Sequence, residues 1–549
     1  MIDFQTGPDQ YRHWRINYEG EIARLIMDVD QNAGLFEGYE LKLNSYDLGV
    51  DIELYDALQR IRFEHPQVRV VILESGKDNV FCAGANIRML AGASHAHKVG
   101  FCKFTNETRN SIEQASAQSG IKFVAAINGA CAGGGYELAM ACDYLILNDD
   151  GSSSVALPEV PLLAVLPGTG GLTRLTDKRK VRRDRADIFC SVEEGVRGAK
   201  AVDWRLVDET APRSKIADLV VERAHELAAK SDRPDSAQGI TLGPLNRQIT
   251  GDTIIYSSVS VNIKRRQGLA TIEVAGPKTE PPVDPEKMQE LGDQFWPLRV
   301  ARELDDALLH LRTNEEQIGV LVFTTSGDLE SAVAMDNFLE SHVDHWLVRE
   351  ILLNWCRVLK RIDLTSRSLV ALIEPGSCFC GTLAEIAFAC DRNFMALGEF
   401  EDDPRPEANL ALTAVNFGRY LMSNGLSRLQ TRFLGEPETL DLASSTIGQR
   451  LDATQAEKLG LVTASYDDID WEDEIRIFLE ERLSFSPDAM TGMEANLRFA
   501  GPETMETRIF GRLTAWQNWI FQRPNAVGEN GALRRYGSGQ KAEFNRQRV

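Results

Sequence analysis

The feature that most constrains the fold of this 549-residue chain is an internal repeat, because a duplicated sequence pattern predicts duplicated structure. The repeated segments pair residues 54–76 with 304–327, 122–143 with 368–391, and 198–207 with 452–462. The first pair reads as a helical pattern, a polar turn and a buried strand, and the second pair ends in Glu-x4-Cys-Asp in both copies. Since the three matches keep the same order along the chain, we predict two related units in tandem.

A turn-rich region separates the two units, because residues 234–285 concentrate Pro and Gly. In each unit, short β patterns alternate with helical patterns, which is typical of a layered α/β fold. We predict a first domain over residues 1–255, a second over 256–490, and a C-terminal helix with a basic tail over 491–549. The helix is expected from apolar residues that share one face, namely Ile509, Leu513, Trp516 and Ile520.

Charge and composition argue against several classes of protein. Acidic residues outnumber basic residues by 81 to 60, and a net charge of −21 repels a nucleic-acid backbone. No stretch approaches the roughly 18 consecutive apolar residues of a membrane helix, and the amino terminus lacks a secretory signal pattern. The nine cysteines lie mostly in apolar segments without metal-ligand spacing, which indicates reduced thiols and no metal site. These features predict a cytoplasmic protein without a nucleic-acid or membrane partner.

The first segment with candidate chemistry follows an apolar strand and spans Cys82, Ala83, Gly84, Ala85 and Asn86. Gly84 permits an unusual backbone angle, after which the N–H of Ala85 can point into a pocket instead of joining a sheet. A glycine-containing loop between a strand and a helix is more often only a turn. This segment therefore indicates a ligand site only in combination with the other segments.

The second segment is a run of three glycines, Gly133 to Gly135, at the predicted start of a helix. Glycines there leave the unpaired N–H groups and the positive end of the helix dipole open to a ligand. The pattern fits an anion or oxyanion site and fits tight packing of a helix on a sheet equally well. No Lys-Ser/Thr pair follows, so a phosphate-binding P-loop is not predicted.

The third segment places Glu159 in an otherwise apolar run that precedes a second glycine-rich turn at residues 168–171. A carboxylate among Leu157, Val160 and Leu162 is either a paired core residue or a general acid/base with a raised pKa. The sequence around Glu159 leaves both possibilities open.

In this order and spacing, the three segments resemble the crotonase (enoyl-CoA hydratase/isomerase) superfamily across most of residues 15–270. The resemblance implies a ββα spiral fold in which the N–H groups of Ala85 and Gly134 form an oxyanion hole for an acyl-CoA thioester. It also implies that Glu137 and Glu159 bind and activate water. The implied substrate-binding residues beside them are Cys82, Ala83, Gly84, Asn86, Gly133 and Gly135.

The arrangement of both units and the tail resembles ring-opening members of this superfamily that act on an aromatic-derived acyl-CoA. This resemblance implies that 2,3-epoxybenzoyl-CoA and two waters become 3,4-dehydroadipyl-CoA semialdehyde and formate, in aerobic benzoate degradation. Coenzyme A is then part of the substrate, and no separate cofactor is expected. The alternatives are another acyl-CoA hydratase or carbon–carbon hydrolase of the superfamily, or a non-catalytic acyl-CoA-binding protein.

The chain departs from the superfamily pattern in two places. Asn86 stands where the superfamily usually has Asp after the oxyanion alanine. In the second unit, residues 331–336 replace the segment around Ala85, so we expect a degenerate copy without an oxyanion loop. Its Glu385 and Glu407 are then expected to serve structure.

An acidic protein that binds coenzyme A needs local positive charge for the phosphates. Candidates are Lys42, Arg534 and Arg535, together with the basic run at residues 178–185. That run also fits a solvated helix or a subunit contact, and this interpretation is favoured. Because superfamily relatives associate, we expect a homodimer or another homo-oligomer.

Overall fold

The computed structural model describes residues 1–401 and 403–549, which divide into two compact units. The N-terminal unit comprises residues 3–244, and the C-terminal unit comprises residues 1–2 and 245–549. Within the described part of the chain, no helix is both long and apolar enough to cross a membrane.

A six-stranded sheet forms the centre of the N-terminal unit, with an antiparallel first pair and parallel pairs beyond it. Its strands in spatial order are Trp14–Glu19, Ile22–Met27, Val70–Ser75, Lys122–Ile127, Tyr144–Asn148 and Glu209–Ala211. Parallel strands covered on both faces are apolar throughout, as Val70 to Leu73 are here. One face packs on Val220, Ala224 and Ala228, which repeat every four residues along one helix.

A second, three-stranded parallel sheet is built from Val80–Cys82, Ala130–Ala132 and Ser154–Ala156. Each of these short strands follows a strand of the main sheet and precedes a helix. This repeated strand, strand and helix is the predicted ββα spiral. The helices of the unit are Leu48–Phe63, Ile87–Gly92, His95–Gln118, Gly134–Ala141, Glu159–Leu163, Gly171–Thr173, Arg183–Cys190, Gly198–Asp203 and Ile216–Ala228, with 3-10 and π turns at Lys42–Asn44 and Arg174–Lys178.

The C-terminal unit contains an eight-stranded sheet that is antiparallel over its first four strands and parallel beyond. Its strands are Gln248–Thr250, Thr253–Ile255, Val259–Lys264, Leu269–Ala275, Val320–Ser326, Ser368–Ile373, Arg392–Ala396 and Ala464–Tyr466, and Leu410–Ala411 pairs separately with Arg450–Leu451. Its helices are Pro285–Leu291, Trp296–Asn314, Leu329–Ser341, Trp346–Asp363, Gly381–Ala389, Arg428–Arg432, Pro437–Ser444, Ala453–Lys458, Trp471–Ser484, Pro487–Leu497, Met505–Arg508, Thr514–Ile520, Pro524–Val527 and Ala532–Arg535, with 3-10 turns at Gly292–Gln294 and Ala414–Phe417 and a π turn at Ile509–Leu513.

The predicted duplication is confirmed by the order of these elements. The helix Trp296–Asn314 and the strand Val320–Ser326 repeat the helix Leu48–Phe63 and the strand Val70–Ser75. The main difference follows that strand, where the helix Leu329–Ser341 replaces a short inner strand and its loop.

The C-terminal segment is helical at residues 505–520, as its apolar periodicity predicts, with one π turn inside it. The chain end is anchored in its own unit by Arg548, which is 3% exposed. The guanidinium of Arg548 donates to the Pro487 carbonyl at 2.9 Å and to the Glu494 carboxylate at 3.2 Å.

Candidate active site

The loop that carries Ala85 is held open by backbone bonds on both of its flanks. The Tyr46 N–H donates to the Gly84 carbonyl at 3.0 Å, and the Asn86 N–H donates to the Tyr46 carbonyl at 2.8 Å. Because Ala85 lies between these two bonds in a parallel bridge, its own N–H is turned away from Tyr46. The N–H of Ala85 is therefore available to a ligand on the other side of the loop.

The loop that carries Ala85 packs against the start of the helix Gly134–Ala141, and Gly84 is the point of closest approach. Gly84 has a φ of +90°, and a Cβ on it would lie 2.7 Å from the Gly134 nitrogen and 2.9 Å from the Ala132 carbonyl oxygen. Only glycine leaves this space open. The structure thus brings together the loop of Ala85 and the first N–H of a helix, where the helix dipole is positive.

Glu159 lies against this helix start with one carboxylate oxygen unpaired. A Cβ on Gly133 would lie 2.7 Å from Oε1 of Glu159, and Oε2 is buried without a hydrogen-bond partner in the described chain. Burial raises the pKa of Glu159 to about 7, and the neighbouring Glu137 also raises it. A carboxyl group that titrates near neutrality at a helix start is suited to proton transfer.

Glu137 is buried but fully engaged with the glycine-rich turn. Its Oε1 accepts hydrogen bonds from the Thr169 N–H at 2.9 Å and the Gly171 N–H at 2.7 Å, and its Oε2 accepts the Thr169 hydroxyl. Burial raises the pKa of Glu137, whereas the bonds from Thr169 and Gly171 lower it. The two glutamates therefore differ, since Glu137 is fixed by three donors and Glu159 has an oxygen free for chemistry.

The sequence profile "Enoyl-CoA hydratase/isomerase" matches residues 40–241. A protein named benzoyl-CoA-dihydrodiol lyase, from Aromatoleum evansii, is 54% identical over 549 residues, which is 100% of this chain and 98% of the relative. The chain belongs to the benzoyl-CoA-dihydrodiol lyase family.

Two further similarities are partial. The fatty acid oxidation complex subunit alpha of Idiomarina loihiensis is 38% identical over 30% of this chain and 23% of its own length. A solved enoyl-CoA hydratase from Geobacillus kaustophilus is 32% identical, with 40% of this chain and 75% of that chain covered and a TM-score of 0.35.

Four predicted substrate-binding residues have structural contacts in this member of the family. The Cys82 thiol donates to the Asn44 carbonyl at 3.0 Å, and the Ala83 N–H donates to the Leu43 carbonyl. The Asn86 side chain accepts the Met89 N–H at 2.9 Å and so caps the helix Ile87–Gly92. A Cβ on Gly135 would lie 2.3 Å from the Cys82 carbonyl oxygen, which explains this glycine by packing.

The predicted phosphate-binding residues are exposed or contact polar or acidic side chains of this chain. Lys42 is exposed and forms an ion pair with Glu40 at 2.7 Å. Arg534 and Arg535 lie on a short helix of the C-terminal unit, where the Arg535 guanidinium contacts the Asn530 side chain. In the basic run at residues 178–185, the ion pairs are Lys178 with Glu113, Arg179 with Asp208, Arg182 with Asp184 and Arg185 with Asp203. This pairing fits the favoured interpretation of the run as a solvated surface.

In the C-terminal unit, a side-chain carboxylate occupies the helix start that corresponds to the start of the helix Gly134–Ala141. Thr382 stands three residues before Glu385, as Gly134 stands three before Glu137. Its N–H donates to the buried carboxylate of Asp336 at 2.7 Å, and its hydroxyl donates to the same group at 2.7 Å. Because Asp336 comes from the replacement helix Leu329–Ser341, this internal carboxylate occupies the helix start.

Glu385 is likewise committed to internal contacts. It accepts hydrogen bonds from the Asn416 amide at 2.7 Å and from the Arg428 guanidinium at 2.9 Å, and Arg428 also binds Asp363. Both oxygens of this fully buried carboxylate are therefore paired within the C-terminal unit.

Two residues near the site were not singled out by the sequence analysis. The thiol of Cys102 has a pKa raised to about 11 by burial, with smaller contributions from the charges of Glu137 and Asp51, and is therefore neutral. Tyr46 has a buried hydroxyl without a hydrogen-bond partner in the described chain. Neither lies in a glycine-rich motif, so only the fold places them beside Glu137 and Gly134.

Proposed function

We propose that this chain is a ring-opening lyase that converts 2,3-epoxybenzoyl-CoA and two waters to 3,4-dehydroadipyl-CoA semialdehyde and formate, within aerobic benzoate degradation. One observation carries the proposal. An intact oxyanion loop, helix start and unpaired Glu159 occur in a chain that is 54% identical over its full length to a benzoyl-CoA-dihydrodiol lyase. A non-catalytic acyl-CoA-binding protein has no need for an unpaired buried carboxylate, which lowers stability.

The oxyanion site supplies the electronic part of the reaction. The N–H groups of Ala85 and Gly134 donate to the thioester oxygen and so withdraw electrons from the adjacent ring carbons. This polarisation makes the ring epoxide more electrophilic. Preorganised donors of this kind are typically the largest single contribution to acyl-group catalysis.

Glu159 supplies the proton transfer. In its ionised form, the free oxygen accepts a proton from the water that opens the epoxide, and the resulting carboxylic acid returns that proton to the oxygen released from the ring. A pKa of about 7 allows both steps near neutral pH. The product of this first addition has the composition of a dihydrodiol, which agrees with the name of the relative from Aromatoleum evansii.

Carbon–carbon cleavage uses the thioester as the electron sink. Two bonds break, because the carbon lost as formate has two ring neighbours. The bond between the two hydroxyl-bearing carbons breaks first: its electron pair moves through the two ring double bonds into the thioester carbonyl, the enolate oxygen is held by the two N–H groups, and protonation on carbon gives a dialdehyde of the same composition as the dihydrodiol. The second water then adds to the aldehyde next to the thioester-bearing carbon, the bond between these two carbons breaks with its electron pair again moving into the thioester carbonyl, and formate leaves. Both waters thus appear in the products, and no electron acceptor is consumed.

We assign Glu137 a positioning role. Its carboxylate holds the turn at residues 168–171 through Thr169 and Gly171, next to the site of Glu159. We further propose that catalysis belongs to the N-terminal unit, because Asp336 fills the corresponding position in the C-terminal unit.

An acyl-CoA ligand is supported by the enoyl-CoA hydratase/isomerase profile. A cytoplasmic location agrees with nine free cysteines and no disulfide. Homo-oligomerisation is supported by an apolar groove of about 820 Å³ along the C-terminal helices, where Leu513 and Phe521 are exposed.

The reaction is tested by supplying the enzyme with enzymatically prepared 2,3-epoxybenzoyl-CoA, the corresponding dihydrodiol thioester, or crotonyl-CoA. The proposal predicts one formate per semialdehyde product from the epoxide, with the dihydrodiol consumed as an intermediate. Formate is quantified enzymatically, and the CoA products are quantified by mass spectrometry. Hydration of crotonyl-CoA without formate from either ring substrate would instead establish a simple hydratase.

A further inference from the structure

Tyr46 contacts both halves of the oxyanion site. Its backbone forms the bonds to Gly84 and Asn86 that orient Ala85, at 3.0 and 2.8 Å. Its hydroxyl lies at Gly134, because a Cβ on that glycine would be only 2.0 Å from the Tyr46 oxygen. One residue thus links the loop N–H and the helix N–H that we assign to the thioester oxygen.

The Tyr46 hydroxyl is a buried polar group without a hydrogen-bond partner. The side chain is 1% exposed, and the hydroxyl finds no partner among the described residues. An unpaired buried hydroxyl is unfavourable for folding, and such groups are uncommon outside functional sites. The Glu159 carboxylate lies at the same helix start, with its Oε1 beside Gly133, and its Oε2 also has no hydrogen-bond partner among the described residues.

The tyrosine ring is held so that the hydroxyl cannot turn toward another partner. The Arg109 guanidinium lies 5.2 Å from the ring centroid and is fixed by an ion pair with Asp51 at 2.5 Å. Phe101 packs beside the same ring, with centroids 5.8 Å apart. Burial raises the pKa of Tyr46 well above its ordinary value, so the hydroxyl stays protonated and can only donate to an anion.

We propose that the Tyr46 hydroxyl is a third donor of the oxyanion site, and that it donates to the thioester oxygen when negative charge develops there. The inference rests on the proposed function, since it requires an acyl-CoA thioester at Ala85 and Gly134. A ligand oxygen that accepts a hydrogen bond from the Gly134 N–H lies at the same glycine as the Tyr46 hydroxyl. The substrate thereby supplies the partner that the unliganded protein lacks.

The test uses Tyr46→Phe, which keeps the ring and removes only the hydroxyl. We expect kcat for formate release to fall by about 10²-fold while KM changes by less than about threefold, because an oxyanion donor acts mainly in the transition state. A direct readout is the change in the carbonyl ¹³C chemical shift when [carbonyl-¹³C]benzoyl-CoA binds. This change is expected to be smaller in Tyr46→Phe than in wild type. The melting temperature is expected to stay equal or rise.

Tyr136→Phe is the matched control, because Tyr136 is equally buried in the same unit but donates to the Leu206 carbonyl at 2.6 Å. It should lower the melting temperature and leave the carbonyl shift unchanged. A Tyr46→Phe protein with the wild-type carbonyl shift, unchanged kcat or a lowered melting temperature would overturn the inference. If wild type itself shows no shift on binding benzoyl-CoA, the proposed acyl-CoA site fails instead.

Discussion

Glu159→Gln is expected to lower kcat for formate release by about 10²- to 10⁴-fold, the range associated with loss of a positioned acid/base. The amide keeps the size of the side chain but cannot take a proton from water. In wild type, kcat/KM should rise with pH through about 7, as Glu159 loses its proton, and this rise should be absent in the variant. Steady-state rates between pH 5.5 and 8.5 measure both effects.

The stability of Glu159→Gln provides a second test of the role assigned to Glu159. Because the folded pKa of about 7 exceeds the ordinary value of 4.5, ionisation of Glu159 opposes folding, and its contribution to stability falls as the pH rises between these values. Above pH 7, the free energy of unfolding of the variant should therefore equal or exceed that of wild type, by up to about 3 kcal/mol. Glu74→Gln is the control, since burial also raises the Glu74 pKa but its carboxylate pairs with Arg24. Retention of more than a tenth of the wild-type rate in Glu159→Gln would contradict the assignment.

Gly84→Ala is expected to abolish turnover, with a loss of about 10³-fold or more. Its Cβ would stand 2.7 Å from the Gly134 nitrogen, and alanine is strained at a φ of +90°. The methyl group therefore blocks one donor and displaces the loop that carries the other, and each donor is associated with about 10²- to 10³-fold in kcat. Formate release and the melting temperature should be measured on the same preparation.

Gly92→Ala separates this effect from a general effect of replacing glycine by alanine in this part of the chain. Gly92 ends the neighbouring helix Ile87–Gly92, and a Cβ there meets nothing within 4 Å. Since alanine favours helix over glycine by about 1 kcal/mol, the control should keep its activity and gain stability. Equal losses of formate release in Gly84→Ala and Gly92→Ala would show that this part of the chain is sensitive to any substitution of glycine.

The sequence predicted those parts of the fold and site that depend on local pattern. The strand Val70–Ser75 begins with four buried apolar residues, and the glycines at positions 84 and 133–135 mark places where backbone must come close. The resemblance to a superfamily then allowed Ala85 and Gly134 to be assigned as a pair. These two residues are 49 positions apart in the chain, and local pattern alone does not show that they come together.

Other features depend on tertiary contacts that leave no local signal. Glu137 and Glu159 are both glutamates in apolar segments, yet only the turn at residues 168–171 distinguishes the paired one from the unpaired one. Asp336 occupies the helix start in the C-terminal unit because a longer helix replaces the loop there. Tyr46 is indistinguishable in sequence from an ordinary core tyrosine.

The most direct test of the account compares Glu159→Gln with Glu385→Gln under identical assay conditions. The central claim is that ring opening occurs in the N-terminal unit and that the C-terminal copy is structural. With 2,3-epoxybenzoyl-CoA as substrate, we predict that Glu385→Gln lowers stability because Arg428 loses a charged partner, while formate release per folded protein stays within about twofold of wild type. Glu159→Gln should release less than about one hundredth as much. Loss of formate release in folded Glu385→Gln, with turnover retained in Glu159→Gln, would contradict the account.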